Sequence, residues 1–232
     1  MKRKILSLVI VSVVMTISGT GVSAQYIFFP TKEGFTWVFA DLDAKGKTGN
    51  YSRQTIKKSD GSGDNYTITY LFESLDKNQK PVGGQSQEIL YTVNINNGVV
   101  ELDLKSLLKS TGNDEALVEI EGDRLKIPPT LAIGDKLDDV KIIISMEAGG
   151  MKFKSDMTLT EQQCIAIEDV TVPAGTFKCH KVTQTNTLTI MRRATITKTV
   201  SWFAPDIGTV KTEEYDAKGK LQSSRVLHSV KN

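Results

Sequence analysis

Histidine, the side chain that most often serves as a general acid or base, is scarce in this sequence. Only two histidines occur, and neither stands at metal-ligand spacing from the other or from a cysteine. If Val172 pairs with Phe177 in a hairpin, His180 lies across from Asp169, and such a pair can orient a general base. Cys179 would point to the opposite face of the strand, so no nucleophile stands beside that base. We interpret the pair as a surface cross-strand contact and predict no catalytic residue.

The two cysteines, Cys164 and Cys179, lead to conflicting expectations. An oxidising compartment favours a disulfide. In the hairpin register above, however, Cys179 faces Val170, six residues from Cys164, or about 20 Å at ~3.3 Å per residue. A disulfide needs about 4.4–6.8 Å between the Cα atoms, which a bulge near Pro173 would have to provide. The geometry favours free thiols, and a disulfide between the two cysteines is kept as the alternative.

One acidic segment imitates the beginning of a calcium loop. Asp60, Ser62 and Asp64 alternate as oxygen ligands do, but Asn65 stands where such a loop needs glycine and Leu71 where it needs glutamate. A hairpin tip is the better interpretation. The sequence therefore predicts no metal site and no cofactor.

Apolar residues at a spacing of two predict the strands that would build any binding site. Phe35, Trp37 and Phe39 share one face of a half-buried strand. A hairpin centred on Gly149-Gly150 aligns three further apolar pairs on one face. These pairs are Met146 with Phe153, Ile142 with Met157, and Val140 with Leu159. Together they define a candidate ligand-binding face comprising Phe35, Trp37, Phe39, Ile142, Met146, Phe153 and Met157. Packing in an ordinary core is the alternative role for these residues, as it is for the apolar clusters 26–30 and 202–203.

The remaining pattern is strand, polar turn, strand almost throughout. Strands are predicted over 65–74, 87–94 and 99–104, with an Asn-Gly turn at 96–98, and hairpins over 176–204 and 209–230. Val118 and Ile120 are expected to meet Ile127 and Leu125 across a turn at 121–124. Helix is confined to 103–109. The fold class is all-β: an antiparallel meander of about a dozen short strands forming a curled sheet, open barrel or sandwich.

The pentapeptide Asp-Ala-Lys-Gly-Lys occurs at 43–47 and again at 216–220. Asp begins a turn, Gly provides a left-handed residue and the lysines keep the tip solvated, so we interpret the two copies as convergent turn chemistry. A duplicated domain is the alternative, but the residues around the copies do not align.

The N-terminus predicts export. Lys2, Arg3 and Lys4 precede an apolar run at 5–17, and small residues end at Ala24, as in a cleaved signal peptide over residues 1–24. The apolar run is short for a membrane anchor, which is the alternative. Three of the 29 basic residues lie in this segment, so residues 25–232 carry 26 basic and 27 acidic side chains. This remainder is predicted to be a single β-rich domain with a possible division of the sheet near 110–135. Its near-neutral charge gives no reason to expect nucleic acid or an anionic membrane as a partner, and no second apolar run approaches membrane-spanning length.

Three stretches together resemble the exported proteins called TapB-like. They are YIFFPTKEGFTWVF at 26–39, LAIGDKL at 131–137, and EDVTVPAGTFKCHKV at 168–182 followed by WFAPDIGTVKTEEY at 202–215. The resemblance implies a β-rich protein of the Gram-negative envelope, periplasmic or secreted, with no catalytic residues to transfer.

These observations support a non-enzymatic exported module that binds an amphipathic ligand or an envelope protein. Two other classes stay open: a hydrolase that uses His180, and a structural or adhesive protein that acts through its sheet edges.

Overall fold

The computed structural model describes residues 25–82, 89–103, 117–148 and 151–232. The predicted signal peptide lies outside these ranges, as does the predicted helix except for Asp103, which ends a strand. Within these ranges, thirteen strands follow one another. They are β1 (Thr36–Asp43), β2 (Thr48–Ser62), β3 (Asn65–Leu75), β4 (Ile89–Asn96), β5 (Val99–Asp103), β6 (Leu117–Gly122), β7 (Leu125–Ile127), β8 (Val140–Ala148), β9 (Met151–Val172), β10 (Gly175–Ile190), β11 (Arg193–Ala204), β12 (Gly208–Asp216) and β13 (Leu221–Lys231).

All thirteen strands form one antiparallel sheet, which confirms the predicted all-β class. Its order is β6-β8-β9-β10-β11-β12-β13-β1-β2-β3-β4-β5-β7, so the last strand pairs with the first and the two halves of the chain spread to either side. The sheet does not close, because β6 and β7 stand at opposite edges. In the described ranges, no helix has the length and apolar character needed to cross a membrane.

Two predicted hairpins have the expected register. β8 pairs with β9 as Met146 with Phe153, Ile142 with Met157, and Val140 with Leu159. β4 and β5 flank Asn97 and Gly98, whose φ angles of 50° and 76° are those of a tight hairpin turn. In both cases the turn chemistry and the apolar alternation favour the same alignment, so local rules suffice.

The predicted hairpin between β6 and β7 is wrong. β6 pairs with β8 at one edge of the sheet, whereas β7 pairs with β5 at the other. Ile120 and Leu125 nevertheless pack against the same apolar cluster on the β8–β9 hairpin. Their shared apolar pattern reflects a common core, which the curled sheet reaches from both edges, rather than hydrogen-bonded pairing.

The predicted register of the β9–β10 hairpin is also wrong, by two residues. Val172 pairs with Gly175, so Pro173-Ala174 alone form the turn, and His180 lies opposite Ile167 instead of Asp169. A two-residue turn is the commonest hairpin connection, and the positive φ of Gly175 (134°) allows the chain to leave it.

The largest core cluster joins the central strands to the turn of the β9–β10 hairpin. It contains buried side chains of β1 to β5 together with others from β9 to β13. A smaller cluster combines Phe28 and Leu131 with Cys164 of β9 and Val182 of β10. Strands from both ends of the sheet therefore share apolar contacts, because the sheet curls.

Candidate functional site: a cavity inside the curled sheet

The concave face of the sheet encloses a cavity of about 390 Å³. Both halves of the sheet and two connecting segments contribute to its wall. The apolar lining consists of Phe28, Phe29, Trp37, Phe39, Tyr70, Val93, Val100, Leu102, Leu125, Ile127, Leu137, Leu159, Val182, Phe203 and Ile207. This size and composition are typical of small-molecule sites, which are mostly apolar with a few polar groups.

Aromatic rings form one side of the cavity. Trp37 is held by a 2.8 Å hydrogen bond from its Nε1 to the carbonyl of Ile207, and the ring of Phe29 lies 5.4 Å from its ring and 5.9 Å from that of Tyr70. Of the predicted face, Trp37 and Phe39 line the cavity. Phe35 instead packs behind, 5.0 Å from the ring of Trp37.

Two further residues of the predicted face, Ile142 and Met157, lie in or against another apolar cluster. Ile142 belongs to the cluster on the β8–β9 hairpin, against which Met157 packs, and Leu159 is the member of that cluster that reaches the cavity wall. Met146 and Phe153 are paired by backbone register on the same hairpin. Periodicity within a strand identified apolar faces but could not tell which part of a face borders empty space.

The polar part of the lining is nearly neutral. Its uncharged members are Gln54, Gln162, Gln184, Ser201, Thr209 and Thr212. Two cationic residues, Lys126 and Arg225, also contribute, but each is paired with a carboxylate. Lys126 Nζ lies 3.2 Å from Glu101, and Arg225 Nε lies 2.6 Å from Asp41. Glu101 also accepts a 3.0 Å hydrogen bond from Arg124. The cavity therefore offers amide and hydroxyl groups, together with two cations that each already contact a carboxylate.

The segment before β1 closes one end of the cavity. Phe28 is 1% exposed, the amide of Tyr26 donates to the carbonyl of Pro129 (2.8 Å), and the carbonyl of Ile27 accepts from Asp206 (2.8 Å). Gly208 permits this contact, because its φ is +84° and a Cβ there would lie 3.3 Å from the Phe28 carbonyl. The motif around Trp202–Gly208 thus serves to hold the N-terminal segment.

The connection between β7 and β8 covers the adjacent side. Leu131 is buried and Leu137 packs beside it, while Asp135 accepts a 2.7 Å hydrogen bond from the amide of Ala132. The Asp135 carbonyl in turn accepts from the amide of Cys164 (2.9 Å). The residues of the LAIGDKL motif therefore attach this connection to β9, and they carry no reactive group towards the cavity.

His180 is buried, and its interpretation as a surface partner of Asp169 is wrong. It is 6% exposed; its Nδ1 donates to the carbonyl of Leu131 at 2.6 Å, and its ring packs edge-on against Phe28 at 4.9 Å. A second cavity, of about 350 Å³, lies beside it. Among the described residues that line this second cavity there is no serine, threonine or cysteine.

Cys164 and Cys179 are both free and buried. They belong to different core clusters, and Cys179 pairs with Glu168 rather than with the predicted Val170. The register shifts of this hairpin lie at 181–185, away from Pro173, so no bulge brings the thiols together. Burial raises the pKa of Cys179 to about 12 and also raises that of Cys164. Both groups therefore stay protonated, and neither is an activated nucleophile.

The calcium-like segment forms the tip of the β2–β3 hairpin. Asp60 makes an ion pair with Lys58, and the side chain of Asn65 accepts from the amide of Asn97 at 3.0 Å. Over the ranges that the structure covers, no group of three or more His, Cys, Asp or Glu side chains is arranged to hold a metal ion.

The pair Trp202-Phe203 divides between two environments. Phe203 lines the cavity, whereas Trp202 lies between the ammonium groups of Lys181 and Lys211, which are 5.0 and 4.8 Å from its ring centroid. Its Nε1 donates to Glu168 at 2.8 Å, and this hydrogen bond lowers the pKa of Glu168. Trp202 therefore stabilises the sheet through cation–π and hydrogen-bond contacts and takes no part in the site.

Comparison with known proteins places the fold in a family. No relative was found among curated proteins. Two crystal structures share the fold. One is a candidate exported protein with a YmcC-like fold from Bacteroides fragilis, with 21% identity and a TM-score of 0.68 over 89% of this chain and 100% of that one. The other is a candidate lipoprotein from Parabacteroides distasonis, with 25% identity and a TM-score of 0.69 over 89% of this chain and 99% of that one. Neither bears the TapB-like name, which remains a resemblance. The model of the DUF3108-like family matches residues 32–227, and the chain belongs to that family.

Proposed function

We propose that this protein is a non-enzymatic module of the bacterial envelope that binds an amphipathic ligand inside its curled sheet. The observation that carries this proposal is the cavity of about 390 Å³, whose wall is mostly aromatic and aliphatic. The names of the two structural neighbours, a candidate exported protein and a candidate lipoprotein, support an envelope location.

The lining suggests the chemistry of the ligand. An apolar chain would displace water from the region around Trp37, Phe39 and Val100. The polar end would hydrogen-bond to amides and hydroxyls such as Gln184 and Thr212. Because each lining cation already contacts a carboxylate, an anionic head group would have to compete with Glu101 or Asp41 for it. We therefore expect a neutral head group, such as the glycerol of a monoacylglycerol, to bind better than a carboxylate.

A neutral fluorescent probe tests the site. N-phenyl-1-naphthylamine should bind saturably, and monolaurin should displace it at lower concentration than laurate does. Ligand at a hundredfold excess over its Kd should stabilise the fold by about 2.7 kcal/mol, visible as a higher melting temperature. A probe that does not bind, or binds without saturation, would contradict the proposal.

A cavity-filling variant locates the binding. Leu102→Trp should lower probe affinity, because the larger side chain occupies space at the wall of the cavity. Ile165→Trp is the matched control, since Ile165 is exposed and is not part of the lining. Equal affinity in both variants would place the probe elsewhere on the protein.

The alternative hydrolase has less support. The Nδ1 of His180 is engaged by the carbonyl of Leu131, and the described wall of the neighbouring cavity contains no serine, threonine or cysteine. His180→Ala should consequently lower the melting temperature, because it removes the ring that packs against Phe28.

A further inference from the structure

The turn between β10 and β11 has an unusual residue pair at its tip. Met191 and Arg192 both have positive φ angles, 48° and 64°. Tight hairpin turns of this kind favour Asn and Gly, as at Asn97-Gly98 in the same chain (50° and 76°). A left-handed conformation costs a residue with a Cβ roughly 1–2 kcal/mol, so the Met-Arg pair makes this turn less stable than an Asn-Gly pair would. Backbone strain of this kind is typical of functional surfaces.

The same hairpin end concentrates exposed apolar side chains. Four of the nine large hydrophobic side chains that are exposed in the described ranges lie between residues 188 and 196. Met191 is 70% exposed and Ile190 is 48% exposed, and Leu188 and Ile196 are the other two. Ile196 pairs with Thr187 rather than with Leu188, so apolar groups lie on both faces of the hairpin. An ordinary core contact would need only one face.

Positive charge surrounds this apolar end. Arg192, Arg193 and Lys198 are exposed on the hairpin, and Lys154 is exposed on the adjacent strand β9. Asp156 of β9, opposite Thr189, and Asp216 of β12, opposite Thr197, are the acidic side chains nearest in register. The tip therefore combines a net positive charge with exposed apolar groups.

The hairpin also extends beyond one of its neighbours. β12 ends at Asp216, which pairs with Thr197, so residues 193–196 of β11 continue past the last pair with β12. On the other side β9 continues past Ser155, the partner of Ile190, to Met151. The apolar tip is consequently accessible along the β12 side.

We propose that the 188–196 hairpin end inserts into the interfacial region of a membrane that contains anionic phospholipid. Apolar side chains on both faces match an interface that surrounds an inserted tip, and nearby cations are attracted to anionic head groups. A flat protein partner would cover one face and leave the other in water. This inference does not depend on the cavity ligand, because none of the residues of this end lines the cavity.

The test uses vesicles of phosphatidylcholine with and without phosphatidylglycerol, and protein isolated after export from its expression host. The protein should sediment with the anionic vesicles and much less with the neutral ones. The double variant Met191→Asn/Arg192→Gly places the favoured residues in the turn and removes one cation and one apolar side chain from it. We expect it to bind anionic vesicles about tenfold or more weakly, while its melting temperature rises by about 2–4 °C.

Lys57→Asn is the matched control, because it removes one exposed cation from β2, far from the 188–196 end, and should leave binding nearly unchanged. The opposite directions of stability and binding distinguish a membrane contact from a structural role. Equal sedimentation of the double variant and the unmodified protein would overturn the proposal. The proposal would also be overturned if the unmodified protein bound neither kind of vesicle, or if it self-associated through this end instead.

Discussion

At the residue scale, one turn recurs three times in the sheet. In the turns at 43–47, 76–80 and 216–220, the first Asp accepts hydrogen bonds of 2.8–2.9 Å from the amides two and four residues later. The fourth residue has a φ between 59° and 79°, as Gly46, Gln79 and Gly219. The third example lacks the repeated pentapeptide, which supports our interpretation that the two copies reflect turn chemistry rather than duplication.

Gln79 tests this interpretation directly. Gln79→Gly should stabilise the fold by about 0.5–1 kcal/mol, because glycine adopts a positive φ without the Cβ clash, although its greater freedom in the unfolded chain offsets part of the gain. Urea unfolding would measure the change. Gly46→Gln is the reverse substitution at the equivalent position of the 43–47 turn and should destabilise the fold by a similar amount. Identical stabilities for both variants and the unmodified protein would show that the φ angle is not the determinant.

At the element scale, cross-strand ion pairs reinforce the register of neighbouring strands. Arg53 of β2 pairs with Glu73 of β3, directly opposite in the ladder, through two hydrogen bonds of 2.7 and 2.9 Å. The hydrogen bond from Arg53 holds the pKa of Glu73 below its ordinary value of 4.5. The bidentate geometry favours this register over a shifted one.

The stability of this pair should depend on pH. A carboxyl whose pKa is lowered by folding stabilises the fold fully above its unfolded-state pKa and loses that contribution as pH falls through the folded-state pKa. Glu73→Gln should therefore cost about 1 kcal/mol or less at pH 7 and progressively less below pH 4.5. Urea unfolding at pH 7 and at a pH below 4.5 measures the difference. Glu119→Gln, which changes an exposed carboxylate of β6, is the control. A cost that does not change on acidification would contradict the ion-pair explanation.

At the scale of the whole molecule, Phe28 joins parts of the chain that are distant in sequence. Its ring contacts the cluster of Leu131, Cys164 and Val182 and packs against His180. Phe28→Ala should cost about 3–5 kcal/mol, because it leaves a void at the closed end of the cavity. Tyr26→Ala should cost clearly less, since Tyr26 is exposed at 38%. Thermal unfolding monitored by circular dichroism would compare the two. Equal losses would mean that the N-terminal segment acts as a unit rather than through Phe28.

The sequence by itself determined the all-β class and the register of two local hairpins. The β8–β9 register and the Asn97-Gly98 turn follow from apolar alternation and turn chemistry between residues that are close along the chain. Trp37 and Phe39 were also identified as inward-facing, since period two is a local property of a strand. Export remains a prediction from the N-terminal segment, which the described residues do not include.

Only the tertiary structure decided which faces enclose space and which edges meet. The pairing of β13 with β1 and the placement of β6 and β7 at opposite edges join residues far apart in sequence, where no turn constrains the register. His180 shows the consequence: Leu131 and Phe28, from segments distant in sequence, cover it and place a predicted surface group in the interior. The cavity arises in the same way, because its volume depends on how far the whole sheet curls, and no single strand specifies that curvature.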